Sequence, residues 1–130
     1  MKKTQTLAAA ALLALCSTAL PVHAHGDNHS HAPQHGGVVV EAGDMDYELV
    51  AKADAITLHL RDHGQSAKTD GASARLTLLN GSEKTEATLT PGAAGMLQAQ
   101  GQFKVAAGTK AVALVTLPGK KAVNVRFVLK

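Results

Sequence analysis

Apolar and polar residues alternate with a period of two along almost the whole segment 38–129, and this pattern limits the fold more than any other feature. One such run is Ala55 to Asp62. Its apolar residues Ile56, Leu58 and Leu60 fall on one face of an extended chain, and the residues between them fall on the other. The alternation is typical of half-buried β-strands and excludes a helical fold.

Eight further runs show similar patterns: Val38 to Glu41, Met45 to Lys52, Ala74 to Leu79, Thr85 to Thr90, Met96 to Ala99, Phe103 to Val105, Ala111 to Leu117 and Val123 to Leu129. Glycine, proline and asparagine separate them, at positions where a chain reverses direction. Short strands at this spacing predict an all-β fold, a single antiparallel β-sandwich of about seven strands with an immunoglobulin-like outline.

The first 24 residues have the features of a cleaved secretory signal peptide. Lys2 and Lys3 precede the apolar run Leu7 to Leu15, and Val22-His23-Ala24 supplies small residues around a cleavage site. The apolar run is much shorter than the ~20 residues of a membrane-spanning helix. We therefore expect export to the periplasm and no stable membrane insertion.

The remaining chain divides into a polar segment and a domain. Residues 25–37 consist largely of histidine, glycine and other polar residues without apolar periodicity, which predicts a flexible His-rich arm. Residues 38–130 carry the alternating runs and form the predicted β-sandwich domain.

Composition argues against several functions. The sequence has three aromatic residues, Tyr47, Phe103 and Phe127, too few to stack nucleic-acid bases. Without the signal peptide, 11 basic residues face 10 acidic ones, so no nucleic-acid partner is expected. The only cysteine, Cys16, lies in the signal peptide, and no nucleophile motif is present, so we do not expect an enzyme.

Histidine is the unusual residue type of this chain. His25, His29, His31 and His35 lie in the arm, and His59 and His63 lie in the domain. Neutral imidazole binds borderline divalent metals and is mostly unprotonated at pH 7. These six residues are the predicted ligands of a transition-metal ion, copper or zinc, and a terminal His25 would add its amino group for copper(II).

The two domain histidines form a weaker pair by themselves. In a straight strand, His59 and His63 would be about 13 Å apart, too far to share one ion. The alternatives are a turn at Gly64 that brings them together, two separate surface histidines, or one of them meeting the arm.

Other donor atoms have simpler interpretations. Asp44, Asp46 and Glu48 could add carboxylate ligands, but a solvated strand face is the expected arrangement. Met45 and Met96 could offer thioethers to a soft ion, but both are expected to fill the core.

Several short stretches resemble known metal-resistance proteins. They are Pro33-Gln34-His35-Gly36-Gly37-Val38, Gly43-Asp44, Tyr47 to Val50, Leu58 to Leu60 and Asp62-His63-Gly64. They resemble the N-terminal periplasmic region of heavy-metal efflux adaptor (membrane fusion) proteins, and small periplasmic heavy-metal-resistance proteins with the same His-Gly-Gly motif. The resemblance implies a β-rich periplasmic domain associated with copper, zinc, cobalt, nickel or silver resistance, and a heavy-metal efflux complex as partner.

The sequence therefore favours periplasmic binding of copper, zinc, nickel or cobalt ions for buffering or delivery in metal homeostasis or efflux. The alternative is a non-catalytic β-sandwich module that docks on an efflux or envelope protein and binds metal only incidentally.

Overall fold

The computed structural model describes residues 31–130, in which every regular element is a β-strand. The strands are β1 (Val38–Ala42), β2 (Met45–Ala51), β3 (Ala55–Asp62), β4 (Gln65–Ser66), β5 (Ser73–Asn80), β6 (Glu83–Pro91), β7 (Met96–Gln100), β8 (Lys110–Thr116) and β9 (Val123–Val128). The predicted all-β class is confirmed. The predicted signal peptide, His25 and His29 lie outside the described residues.

The strands form one antiparallel sheet in the order β1-β2-β3-β7-β6-β5-β8-β9, with β4 attached to β3. The long strand β6 pairs with β5 along most of its length and with β7 through its last residues, Thr90 and Pro91. This strand therefore connects the two halves of the sheet. The terminal strands β1 and β9 approach each other, so the curved sheet is nearly barrel-shaped.

The inner faces of the strands enclose a core built almost entirely from aliphatic side chains. Ile56, Leu58, Leu76, Leu89 and Leu97 are fully buried. The aromatic side chains of Tyr47 and Phe127 complete this core. These residues occupy alternate positions on their strands, as the period-two pattern predicts.

Two differences from the expected strands are local. Residues 103–105 form no strand, although the backbone N–H of Phe103 donates to the carbonyl of Ala53 at 2.7 Å. The short strand β4 was not predicted, because its two residues, Gln65 and Ser66, are both polar and exposed. In total, residues 31–130 form nine strands where about seven were expected.

Two tight turns lie at the same end of the β1–β3 region. Gly43 and Asp44 connect β1 to β2, and both have positive φ angles of 55° and 64°. His63 and Gly64 connect β3 to β4 in the same way, with φ angles of 51° and 80°. Two consecutive positive φ angles are the mark of a type I′ turn, which matches the twist of the adjoining strands.

Residues 31–130 contain no helix that is long and apolar enough to cross a membrane.

Candidate functional site

Five ionisable residues share the face of β1, β2 and β3 that points away from the core, here called the outer face: Glu41, Asp46, Glu48, His59 and Arg61. One row runs across the strands from Glu41 through Asp46 to Arg61. The next row places Glu48 opposite His59. Because cross-strand neighbours lie side by side on one face, the register alone gathers three carboxylates, an imidazole and a guanidinium.

The expectation of a solvated face on β2 is wrong. Asp46 is 4% exposed and Glu48 is 0% exposed, whereas Asp44 in the preceding turn is exposed as expected. The cause is residues 31–37, here called the covering segment, which bonds to the outer face. Strand β2 is therefore buried on both faces, which a local alternating pattern does not reveal.

Glu48 fixes the covering segment to the sheet. Its carboxylate accepts hydrogen bonds from the backbone N–H groups of Gln34 (3.0 Å), His35 (2.7 Å) and Gly37 (3.0 Å). Burial raises the pKa of Glu48, but the three N–H groups and the charge of the neighbouring His35 together outweigh burial, so its pKa is lower than usual. A buried carboxylate that accepts three backbone bonds is charged and well satisfied. The predicted flexibility of residues 25–37 stays a prediction.

The His-Gly-Gly sequence has a local structural explanation. Gly36 has a φ angle of 75°, a backbone conformation that residues with a Cβ atom rarely adopt. At Gly37, an added Cβ atom would lie 2.4 Å from the backbone oxygen of Leu49. Both glycines therefore allow the covering segment to approach β2 closely enough to reach Glu48.

His35 stacks on His59 of β3. The ring centroids are 3.6 Å apart, and the ring planes differ by 7°. The pKa of His59 is lowered, first by burial and then by the neighbouring His35. Metal ligation uses lone pairs in the ring plane, and those of two parallel stacked rings do not converge on one ion. This pair therefore fastens the covering segment to the sheet and has no ligand geometry for a shared ion.

His31 lies between two carboxylates of the outer face. Its Nδ1 atom is 2.8 Å from Oδ1 of Asp46, and its Nε2 atom is 3.7 Å from Oε2 of Glu41. One donor atom from each of these three residues lies within 4.8 Å of the other two. The hydrogen bond to Asp46, followed by the charge of Asp46, raises the pKa of His31.

Arg61 lies beneath this cluster and is 4% exposed. Its Nη2 atom donates to the carbonyl oxygen of Ala32 at 3.2 Å and lies 3.8 Å from Oδ2 of Asp46. Within residues 31–130, the buried Nε and Nη1 atoms of Arg61 have no hydrogen-bond partner. The guanidinium therefore offsets the buried charge of Asp46 while two of its own nitrogens remain unsatisfied.

His63 lines the same open cavity as His31, together with Glu41, Asp44 and Asp46. The cavity has a volume of about 210 Å³. Nδ1 of His63 contacts Oδ1 of Asp62, its neighbour in the chain. The type I′ turn at His63 and Gly64 thus directs this histidine toward the Glu41–Asp46 row.

The structure separates the four predicted ligands within residues 31–130 into two groups. His31 and His63 line one cavity at the turn end of the outer face. His35 and His59 form the stack in the neighbouring row. Of the alternatives for the domain histidines, the arrangement observed is the one in which a domain histidine meets the arm.

Sequence reasoning did not single out Glu41 or Arg61. A signal for Glu41 was present, because the Gly43-Asp44 turn sets the register that pairs Glu41 with Asp46. Arg61 is placed beside Asp46 by the separate pairing of β2 with β3. The two methionines differ in their outcomes. Met45 is buried in the core as expected, whereas Met96 is only partly buried and lies opposite His59.

Comparisons of this chain with protein-family models, curated proteins and solved structures found no significant match.

Proposed function

We propose that this protein binds a transition-metal ion, copper, zinc, nickel or cobalt, in the periplasm for buffering or delivery in metal homeostasis or efflux. The observation that carries the proposal is the meeting of His31 with Glu41 and Asp46, whose donor atoms lie within 4.8 Å of one another. An imidazole among carboxylates suits borderline divalent ions better than soft monovalent ones.

The exposure of this cluster is consistent with buffering or delivery. The side chains of His31 and Glu41 are 53% and 55% exposed. An ion at the surface can exchange with solvent or with another protein, whereas structural metal sites are closed by their protein ligands. No catalytic role is part of the proposal.

The proposal includes the periplasm as the compartment and an immunoglobulin-like sandwich as the fold. The signal-peptide features of residues 1–24 and the resemblance to heavy-metal resistance proteins favour the periplasm and an efflux complex as partner. We also propose that the curved sheet is an immunoglobulin-like sandwich, because β6 divides its pairing between two groups of strands.

A second candidate function is a docking module for an efflux or envelope protein. It is favoured by three large apolar residues that are exposed on β5, β8 and β9: Leu79, Leu114 and Val128. Leu79 and Val128 flank Lys110 in the strand register, so they share one face. In this case metal binding would be weak and unselective.

Native mass spectrometry of the mature chain distinguishes the two candidates. Copper(II), zinc, nickel and cobalt are added in turn, with magnesium as a control ion because it prefers oxygen ligands and retains its water. The metal-binding proposal predicts a retained transition-metal ion and no retained magnesium. Equal retention of all ions, or retention of none, would contradict it and favour the docking module.

A further inference from the structure

We infer that the ion is held by the Nε2 atom of His31 and the carboxylate of Glu41, and that Asp46 is a positioning residue outside the coordination sphere. The inference rests on the proposed function and assigns its ligands. The ion class follows from the donors: a borderline divalent cation such as zinc, bound by nitrogen and oxygen.

The contact with Asp46 determines which nitrogen of His31 is available. A charged carboxylate only accepts hydrogen bonds, so the 2.8 Å contact places a proton on Nδ1 of His31. In the neutral ring, the lone pair then belongs to Nε2. Metal-binding histidines commonly donate their second ring nitrogen to a carboxylate in this way, which fixes both the tautomer and the ring orientation.

The available nitrogen faces Glu41. Nε2 of His31 lies 3.7 Å from Oε2 of Glu41. Zinc binds imidazole nitrogen and carboxylate oxygen at about 2.0–2.2 Å, so one ion fits between atoms at this separation. A contact of 3.7 Å is too long for a hydrogen bond, and it is an ion pair only when His31 is protonated.

Arg61 explains why Glu41 and not Asp46 supplies the oxygen. The two carboxylate oxygens of Asp46 face different groups, Oδ1 toward His31 and Oδ2 toward Nη2 of Arg61 at 3.8 Å. The charge of Asp46 is therefore offset by a buried guanidinium, which also repels a cation placed beside it. Glu41 has no cationic side chain of lysine or arginine within ion-pair distance in residues 31–130, and its negative charge remains for the ion.

Two protein ligands leave part of the coordination sphere of the ion to water or to a donor from another molecule. Catalytic and exchangeable sites keep such an open position, whereas closed sites retain their metal. The exposed side chains of His31 and Glu41 place that open position at the surface of the protein. The geometry is that of a site from which the ion is passed on.

The direct test follows the ring nitrogens of His31 in the full mature chain. Zinc is the probe, and long-range proton–nitrogen correlation spectra are recorded before and after its addition. The inference predicts that the Nε2 resonance of His31 moves to the metal-bound range and that Nδ1 stays protonated. Ligation through Nδ1, or a His31 ring that zinc leaves unchanged, would overturn it.

Affinity measurements on variants test the second ligand. His31→Ala and Glu41→Gln should each weaken zinc binding at least about tenfold, since even partners outside the coordination sphere contribute that much. Glu86→Gln is the matched control, because Glu86 is also an exposed strand glutamate but lies on β6 beside Lys84. Its affinity should equal that of the wild type. Wild-type affinity in Glu41→Gln would overturn the assignment of Glu41.

These results separate the inference from the function on which it rests. Zinc binding by the wild type that persists in both His31→Ala and Glu41→Gln would overturn the ligand assignment and leave the proposed function standing. Absence of zinc binding by the wild-type chain would overturn both. Thermal unfolding of each variant shows that a loss of affinity is not a loss of fold.

Discussion

The carboxylate of Glu48 accepts a 2.7 Å hydrogen bond from the backbone N–H of His35, which lies 13 residues earlier in the chain. This bond and its two neighbours attach the covering segment to the outer face of β2. The attachment places the ring of His35 against His59, and it holds the chain close to the position where His31 meets Asp46. A buried carboxylate on a strand thus organises His31 and His35, which precede the strand.

Removing the charge of Glu48 should release the covering segment. In Glu48→Gln, one oxygen becomes an NH2 group that cannot accept the N–H bonds of the backbone. We expect a loss of about 1–3 kcal/mol in the free energy of unfolding and faster hydrogen exchange at His35 and Gly37. Glu83→Gln is the control, since Glu83 makes only an exposed pair with Lys104. Unchanged exchange at His35 and Gly37 would contradict the proposed role of Glu48.

The lowered pKa of Glu48 predicts how the stability of the fold changes at acidic pH. The pKa of Glu48 is lowered on folding, so the stabilisation is present above the ordinary carboxyl pKa of 4.5 and is lost as pH falls through the lower folded value. Denaturant unfolding is measured from about pH 6 to about pH 3, a range that brackets the ordinary carboxyl pKa. Over this range the free energy of unfolding should fall more steeply in the wild type than in Glu48→Gln.

The pKa values of His31 and His59 should be shifted in opposite directions. The hydrogen bond to Asp46 raises the pKa of His31 above 6.5, whereas burial lowers the pKa of His59 below 6.5. The His31 contribution to stability is present below pH 6.5 and is lost as pH rises through its folded pKa. The His59 contribution is present above pH 6.5 and is lost as pH falls through its folded pKa.

Proton–carbon NMR titration of the metal-free protein measures both pKa values. The resonance of His31 should have its midpoint above that of His59, and neither should coincide with the free imidazole value. The reverse order of the two midpoints would show that Asp46 does not engage His31 in solution.

The strands could be predicted because their alternating pattern is local. The burial of the outer face of β2 under residues 31–37 could not be predicted. Alternation located most of the strands, including Ala55–Asp62, with its boundaries. The same alternation in β2 predicts one solvated face, because a strand pattern carries no information about residues 31–37 lying over Glu48. Long-range contacts of this kind depend on the whole fold.

Other features were missed for related reasons. The pairing of β6 with β5, and of its last residues with β7, depends on contacts between distant segments that a local pattern does not show. Arg61 alternates with the core residues of β3, yet it is itself buried beside Asp46. The histidine cluster itself was visible in the composition, and its division into a stack and a cavity required the register of β1 to β3.

Gly37 should tolerate no side chain. In Gly37→Ala, the new Cβ atom would meet the backbone oxygen of Leu49 at 2.4 Å, and backbone cannot rotate away as a side chain can. We expect the free energy of unfolding to fall by about 1–3 kcal/mol. We also expect the backbone amide of Gln34 to lose its protection from hydrogen exchange. In the control Gly92→Ala, the three atoms nearest to the added one all belong to the flexible side chain of Gln98. Equal stability of the two variants would contradict the close approach at Gly37.

Asp46 should be needed for stability as well as for the orientation of His31. Asp46→Asn leaves Arg61 as a buried cation without a charged partner within residues 31–130, and removing one member of a buried pair costs about 3 kcal/mol. The control is Asp44→Asn, because Asp44 is exposed and asparagine also tolerates its positive φ of 64°. Denaturant unfolding compares them. If Asp44→Asn lowered the free energy of unfolding as much as Asp46→Asn, the buried Asp46–Arg61 pair would not be the cause of the loss.

The position of a bound ion is the most direct test of the account. Crystals of residues 25–130 grown with zinc, measured at the zinc absorption edge, give an anomalous difference map that locates the ion without reference to any assumed ligand. The account predicts a peak between Nε2 of His31 and the carboxylate of Glu41, about 2 Å from each, with Asp46 on the opposite side of the imidazole ring. A zinc peak at the His35–His59 stack, or zinc bound elsewhere with none at His31, would contradict it.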